Sequence, residues 1–207
     1  MNTIHVNLIN NKYKKIIFDL LLQLELHSEE SFVHSIDVAQ KSILLARSFG
    51  VSGSDLENLY TAALLHDIGK LYVNEKILHK PNATNYEREL IRLGHIEGTR
   101  EILEKYFDED IVKLASHHHE RLNNSGYPEH LNAKKLSLLD RILQVADVTS
   151  ALAMNRSYQQ ASSPEKIIEI LDNLVSRGEL DKKCVKEMQK LFLFPMQDQS
   201  FSQPESE

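Results

Sequence analysis

The stretch Ala63–Leu78, ALLHDIGKLYVNEKIL, sets His66 beside Asp67 inside an apolar, helix-like run, with Gly69 and Lys70 just beyond. Leucine and isoleucine bury themselves there, and a neutral imidazole tolerates the same surroundings. An ionised carboxylate in a core is costly unless something pairs it. What pairs with Asp67 is the question from which the rest of the chain is read.

The periodicity around that stretch is helical. Ile16, Ile17, Leu20, Leu21 and Leu24 recur at helix spacing between Lys12 and His27. Ser28, with Glu29 and Glu30 after it, is a helix start, and Gly50 marks the stop after Phe49. A third helix is expected from Ser54-Asp55 to Lys70, then a loop over Leu71–Asn85. Further helices are expected over Tyr86–Tyr106, Asp110–His118, Lys134–Met154, Pro164–Ser176 and Asp181–Phe194. No stretch alternates in the manner of a strand, so the fold class is all-α. Glu120–Leu131, ERLNNSGYPEHL, is the one long loop between helices, and QDQSFSQPESE is a polar, disordered tail. The expected organisation is an N-terminal helical extension over 1–27, a domain over 28–194 and the tail over 195–207.

The 207 residues are enough for roughly 70% of the unfolded chain's surface to be buried. A net charge of −6 without a basic cluster argues against a nucleic-acid polymer as partner, though not against a small phosphate ligand. Cys184 stands alone, so no disulfide forms within the chain. The early run Ile16–Leu26 is broken by Asp19, Gln23 and Glu25 and does not insert into a membrane. The expected location is cytoplasmic.

Ten histidines are many for this length. His34, His66, His95, His118 and His119 fall on four separate helical segments or their ends. Singly each reads as structural; together they read as a metal site, which gathers imidazoles and carboxylates from distant parts of a chain. A divalent cation would answer for Asp67, and also for Asp147, flanked by Val145, Ala146 and Val148. Glu30 precedes His34 by one helical turn and shares its face; it reads equally as a carboxylate placed for the helix dipole. Lys70 reads equally as a helix C-terminal cation.

The ordered set His34, HDIGK (66–70), His95, HHER (118–121), GYP (126–128) and VADV (145–148) resembles the HD-GYP domain, a branch of the HD hydrolase superfamily. The resemblance covers about Glu30 to Met188. It implies an HD-domain helical bundle extended by the HD-GYP helices. It also implies a bacterial enzyme that hydrolyses cyclic di-GMP to linear pGpG or GMP with two or three divalent metal ions, most often iron or manganese. By position, Glu30, His34, His66, Asp67, His95, His118, His119 and Asp147 would be metal ligands, with Asp67 bridging. Lys70 would face the scissile phosphate, Gly126 and Tyr127 would line the nucleotide pocket, and Arg156 would contact phosphate. Glu120-Arg121 fixes the register of the HHH run and leaves His117 as an exposed neighbour.

The chain departs from the family pattern at three places. Asn123-Asn124 stands for Asp-Gly, Ile96 for Pro, and Arg156-Ser157-Tyr158-Gln159 for Arg-Pro-Tyr and a basic residue. The loss at Gln159 bears on substrate choice. The alternatives are a cyclic-dinucleotide-binding or protein-interaction module without turnover, and an HD hydrolase of another cyclic dinucleotide or nucleotide. The apolar face of the first helix is read as packing on the domain or on a second copy, with a homodimer surface preferred.

Overall fold

The computed structural model describes residues 4–78, 80, 82–155 and 160–193. Arg156, Gln159 and the 195–207 tail lie outside the described residues. The described residues form helices and turns, with one isolated antiparallel bridge, Asn123 to Asn132, and no strand. The all-α expectation holds. No helix among them is long and apolar enough to cross a membrane.

A short 3-10 turn at Val6–Leu8 leads into α1 (Lys14–His27), whose Ile17, Leu20, Leu21 and Leu24 are buried. Each such side chain removed from water stabilises the fold by ~1.5–3 kcal/mol. The helix read as an extension therefore packs its inner face into the common core, while Phe18, Leu22 and Leu26 on its other side are exposed. Ser28 ends α1 and begins α2 (Glu29–Ser48), its hydroxyl accepting from the amide of Ser31 at 3.1 Å. Gly50, at φ +76°, supplies the left-handed residue just past α2.

The third helix, α3 (Gly53–Leu65), stops five residues earlier than expected. His66 and Asp67 are released from it, and Ile68–Tyr72 forms a tight 3-10 turn instead. The one-turn helix α4 (Glu75–Leu78) lies inside the expected loop. Thr84 and Glu87 form a reciprocal capping box that starts α5 (Asn85–Leu103), and α6 (Glu109–Ser116) follows. Ser137 and Asp140 cap α7 (Leu138–Ala153) in the same way, four residues later than the hydrophobic pattern suggested. Pro164 occupies the first turn of α8 (Pro164–Ser176), and α9 (Lys182–Leu193) closes the described chain.

The turn between α3 and α4 is pressed against α5. Gly69 donates its amide to Thr99 Oγ1 (2.9 Å), and that hydroxyl donates to the carbonyl of His66 (3.0 Å). A Cβ on Gly69 would lie 1.9 Å from the His95 carbonyl oxygen and 2.2 Å from the Thr99 nitrogen. Both are backbone atoms of α5 and cannot move aside cheaply. Glycine is thus what lets His66 and Asp67 approach the helix that carries His95.

Gly69→Ala should destabilise the protein by about 3 kcal/mol, within the range of forced overpacking, and lower Tm by about 6–12 °C. Gly94 sits inside α5 with Val73 Cγ2, at 4.0 Å, as its nearest neighbour. Gly94→Ala should therefore raise stability by about 0.5–1 kcal/mol. Thermal unfolding of both variants checks this; equal effects of one sign would contradict it.

Candidate metal centre

Five elements deliver the centre. α2 carries His34, the end of α3 carries His66-Asp67, α5 carries His95, the segment after α6 carries His118-His119, and α7 carries Asp147. Six of these seven residues are buried, and His119 is partly so. Far-apart side chains in the sequence converge as expected: the rings of His66 and His118 are 4.7 Å apart, those of His34 and His66 5.3 Å, and those of His95 and His119 5.1 Å.

The ring nitrogens decide what the cluster can hold. His66 Nδ1 lies 2.8 Å from the Ala63 carbonyl, His95 Nδ1 2.6 Å from that of Ile91, and His118 Nδ1 2.6 Å from that of Ala115. A carbonyl oxygen can only accept, so each Nδ1 carries a proton, and in the neutral ring each Nε2 keeps its lone pair. All three Nε2 atoms are buried without a hydrogen-bond partner. They surround Asp67: His66 Nε2 is 3.4 Å from Oδ2, while His95 and His118 Nε2 are each 3.9 Å from Oδ1. Imidazole lone pairs and carboxylate oxygens converge there, a donor set that suits a cation. Orphaned polar atoms of this kind cost ~1–3 kcal/mol each.

Two groups have ligand atoms all within 4.8 Å of one another: His34, His66 and Asp67, and His95, His118 and His119. Asp67 stands between them, Oδ2 toward the first and Oδ1 toward the second. Asp147 lies 3.8 Å from His66 Nε2 and 3.9 Å from His119 Nδ1. Glu30, half-buried one turn before His34, belongs to neither group. The residues present fit divalent metal, with nitrogen and oxygen donors and no thiolate; Cys184 is buried elsewhere in the core.

The carboxylates themselves are not without protein partners, contrary to the premise drawn from the sequence. Lys70 Nζ donates to Asp67 Oδ2 at 2.6 Å, and His34 Nε2 is 3.0 Å from Asp147 Oδ1. The unpartnered atoms are the imidazole nitrogens. His34 is further held through Nδ1 by Ser150 Oγ at 3.0 Å. Ser150, one turn after Asp147 on α7, and Thr99, one turn after His95 on α5, were legible as same-face neighbours of ligands but carried no signal alone.

Burial pushes His34, His95 and His119 below the usual histidine range, and His118 to about 3, with His66 adding to the effect. These rings are neutral and available as ligands. His66 goes the other way: burial alone would lower it, but Asp67 and Asp147 outweigh that and raise it. Asp67 and Asp147 stay well below the usual carboxylate range, because Lys70 and the neighbouring imidazoles overcome the cost of burial.

The loop after His119 is folded back onto the ligand segment by a residue the sequence reading used only for register. Glu120 is fully buried, and its two oxygens accept from the amides of Glu129 (2.6 Å) and Leu131 (2.8 Å). Gly126 is buried against this turn; a Cβ there would lie 2.3 Å from the Arg121 nitrogen. It therefore serves the loop's packing and is not in the cavity wall, where the resemblance put it. Asn124 adopts φ +66°, a conformation asparagine tolerates, and Asn123 binds the Arg177 carbonyl and Ser125. The Asn-Asn departure is thus absorbed by the loop itself. His117 is not simply exposed: its Nδ1 pairs with Asp140 at 3.1 Å.

A cavity of about 430 Å³ opens over the centre, of the size that takes small ligands. His34, Asp67, Lys70, His95, His119 and Asp147 form its floor, and Tyr127 stands at its side. One face of Tyr127 lies against His119, centroids 4.8 Å apart, and the Arg92 guanidinium sits 4.4 Å from its ring centre. Tyr127, which lines the cavity as the resemblance implies, is thus already in contact with His119 and Arg92. Arg88 and Arg92, which the sequence reading did not single out, also line the cavity.

Comparison with known proteins agrees with this picture. The HD domain family matches residues 20–184. The chain is 38% identical over 157 residues to the 3'3'-cGAMP-specific phosphodiesterase 1 of Vibrio cholerae, covering 75% of this chain and 36% of the relative. It is 35% identical over 142 residues to a cyclic di-GMP phosphodiesterase of Pseudomonas aeruginosa, covering 68% and 34%. The chain thus spans about a third of the length of these curated relatives. Among solved structures, an HDGYP protein of Bdellovibrio bacteriovorus superposes with a TM-score of 0.62 at 20% identity, over 78% of this chain and 52% of that one. The HD domain of the L. monocytogenes phosphodiesterase PgpH, in complex with cyclic-di-AMP, gives 0.62 at 18% identity over 91% and 100%. Motifs, helical architecture and family match agree, and the chain belongs to the HD domain family.

Proposed function

We propose that the chain is a metal-dependent phosphodiester hydrolase acting on a purine cyclic dinucleotide, with cyclic di-GMP as the first substrate and pGpG or GMP as product. The observation that carries this reading is the trio of orphaned Nε2 atoms around Asp67. His34, His66, His95, His118, His119, Asp67 and Asp147 would hold the metals. Iron or manganese suits a nitrogen and oxygen donor set without thiolate and is what the HD-GYP resemblance implies. When bound, divalent ions supply Lewis acidity to the phosphoryl oxygens and lower the pKa of an attacking water toward neutrality.

The chain's own residues do the rest. Asp67 presents one oxygen to each histidine group and so fixes the spacing between them. The carbonyls of Ala63, Ile91 and Ala115 hold three rings in the ligating tautomer. Lys70, in the cavity floor, offers its ammonium to a phosphoryl oxygen as negative charge develops. The loop set by Glu120 walls the cavity with Tyr127 and limits water. We place this activity in the cytoplasm, in line with the single, unbridged Cys184.

A second substrate, 3'3'-cGAMP, is favoured by the names of three relatives at 38%, 35% and 32% identity. Incubating metal-loaded protein with cyclic di-GMP and with 3'3'-cGAMP, then separating the products, decides between them. Binding without any linear product would instead establish the non-catalytic module.

His66→Ala and Asp67→Ala should each lower turnover by about 10³-fold, as loss of a principal charge-stabilising element does, while circular dichroism stays helical. Unchanged turnover in either would refute the site.

The metal-free protein should also lose stability in mild acid. A buried histidine with a lowered folded pKa takes no proton between that value and ~6.5, whereas the unfolded chain does. Its contribution is present above ~6.5 and is lost as pH falls toward the folded value, such as about 3 for His118. His34, His95, His118 and His119 act in this direction and His66 against it. Each lowered site adds up to ~1.4 kcal/mol per pH unit below 6.5. Urea unfolding at pH 7 and pH 5.5 should show the drop; equal or greater stability at pH 5.5 would contradict it.

A further inference from the structure

Lys80, Arg88 and Arg92 line the cavity together with Leu78 and Ala83, so cations share it with the candidate metal ligands. Most of the positive charges around the cavity already have a resident carboxylate. Lys70 is bound to Asp67 at 2.6 Å, Lys80 to Glu87 at 2.7 Å, and Arg92 to Glu89 through two hydrogen bonds of 2.7 and 2.6 Å. Arg88 differs. Its guanidinium donates to the neutral Asn85 Oδ1 at 3.0 Å, and no carboxylate of the described residues lies within ion-pair distance.

Arg88 is also placed by the helix that carries a ligand. Arg88, Arg92 and His95 stand at positions i, i+4 and i+7 on α5 and share the face that lines the cavity. Two turns, about 10 Å along the axis, separate the backbone of Arg88 from that of His95. A cyclic dinucleotide carries two phosphodiester groups. If one lies over Asp67, the other needs a cation elsewhere along the cavity, and Arg88 is a lining cation with no carboxylate partner among the described residues. A guanidinium fork matches phosphate oxygens with two parallel donors.

We propose that Arg88 binds the phosphate that is not being cleaved, and so sets the preference for a two-phosphate substrate. This rests on the cyclic-dinucleotide reading above. It assigns substrate recognition to the first turn of α5, within the chain's described residues and independent of Arg156 and Gln159.

The test compares two substrates on the metal-loaded protein: cyclic di-GMP or 3'3'-cGAMP, and bis(p-nitrophenyl) phosphate, which has a single phosphate. For Arg88→Gln, the ratio of kcat/KM for the cyclic dinucleotide to that for the simple diester should fall about tenfold, mostly through KM. Arg88→Lys should recover part of it. Lys105→Gln, two residues past the end of α5 and paired with Glu101, controls for net charge and should not shift the ratio. An equal change on both substrates, or none on either, overturns the assignment. A wild type that cleaves the simple diester but no cyclic dinucleotide rejects the proposed substrate, and the role of Arg88 with it. A wild type active on the dinucleotide with an unaltered ratio in Arg88→Gln rejects Arg88 alone.

Discussion

Three imidazole nitrogens with lone pairs facing one carboxylate are the constraint around which this protein is arranged. Each lone pair is fixed by a hydrogen bond on the opposite side of its ring, from Nδ1 to a carbonyl of the preceding helical turn. That bond settles the tautomer before any ligand arrives. The arrangement leaves buried acceptors without donors among the described residues, a cost to the folded state that a bound cation removes. The rest of the helical bundle can be understood as the scaffold that brings those rings to a common point.

Several local features follow from that requirement. α3 ends early so that His66 and Asp67 sit on a tight turn rather than on a regular helix. Gly69 and Thr99 then bring the turn into backbone contact with α5. On the other side, Glu120 gathers two amides of the following loop and fastens it behind His118-His119. Rigid ligands and a defined cavity wall are consequences of the same packing. Binding at this centre and folding stability are therefore linked: a cation that fills the centre also stabilises the bundle.

Much of this was legible in the sequence, for identifiable reasons. The apolar periodicity of α1, α2 and α8 gave their extents closely, because serine caps and a first-turn proline punctuate them. The candidate ligands could be named because histidine and aspartate in apolar runs are conspicuous. The end of α3 was misplaced because Ile68 and Leu71 continue a helical pattern that tertiary contact with α5 overrides. Start positions for α7 were misjudged because the Ser137–Asp140 box outweighs the apolar spacing before it. Glu120 looked like an ordinary charged loop residue, since the two amides it satisfies lie nine and eleven residues away. Lys70, three residues after Asp67, is within reach as its partner on a helix as well as on a 3-10 turn, but a lysine at that place reads equally as a helix C-terminal cation.

The central claim is that these nitrogens are metal ligands and not merely neighbours in a core. Anomalous diffraction from crystals grown with manganese tests it most directly. The account predicts anomalous peaks within bonding distance of Nε2 of His66, His95 and His118, beside the Asp67 carboxylate. Crystals in which those nitrogens meet only water, with manganese absent or bound elsewhere, would contradict it.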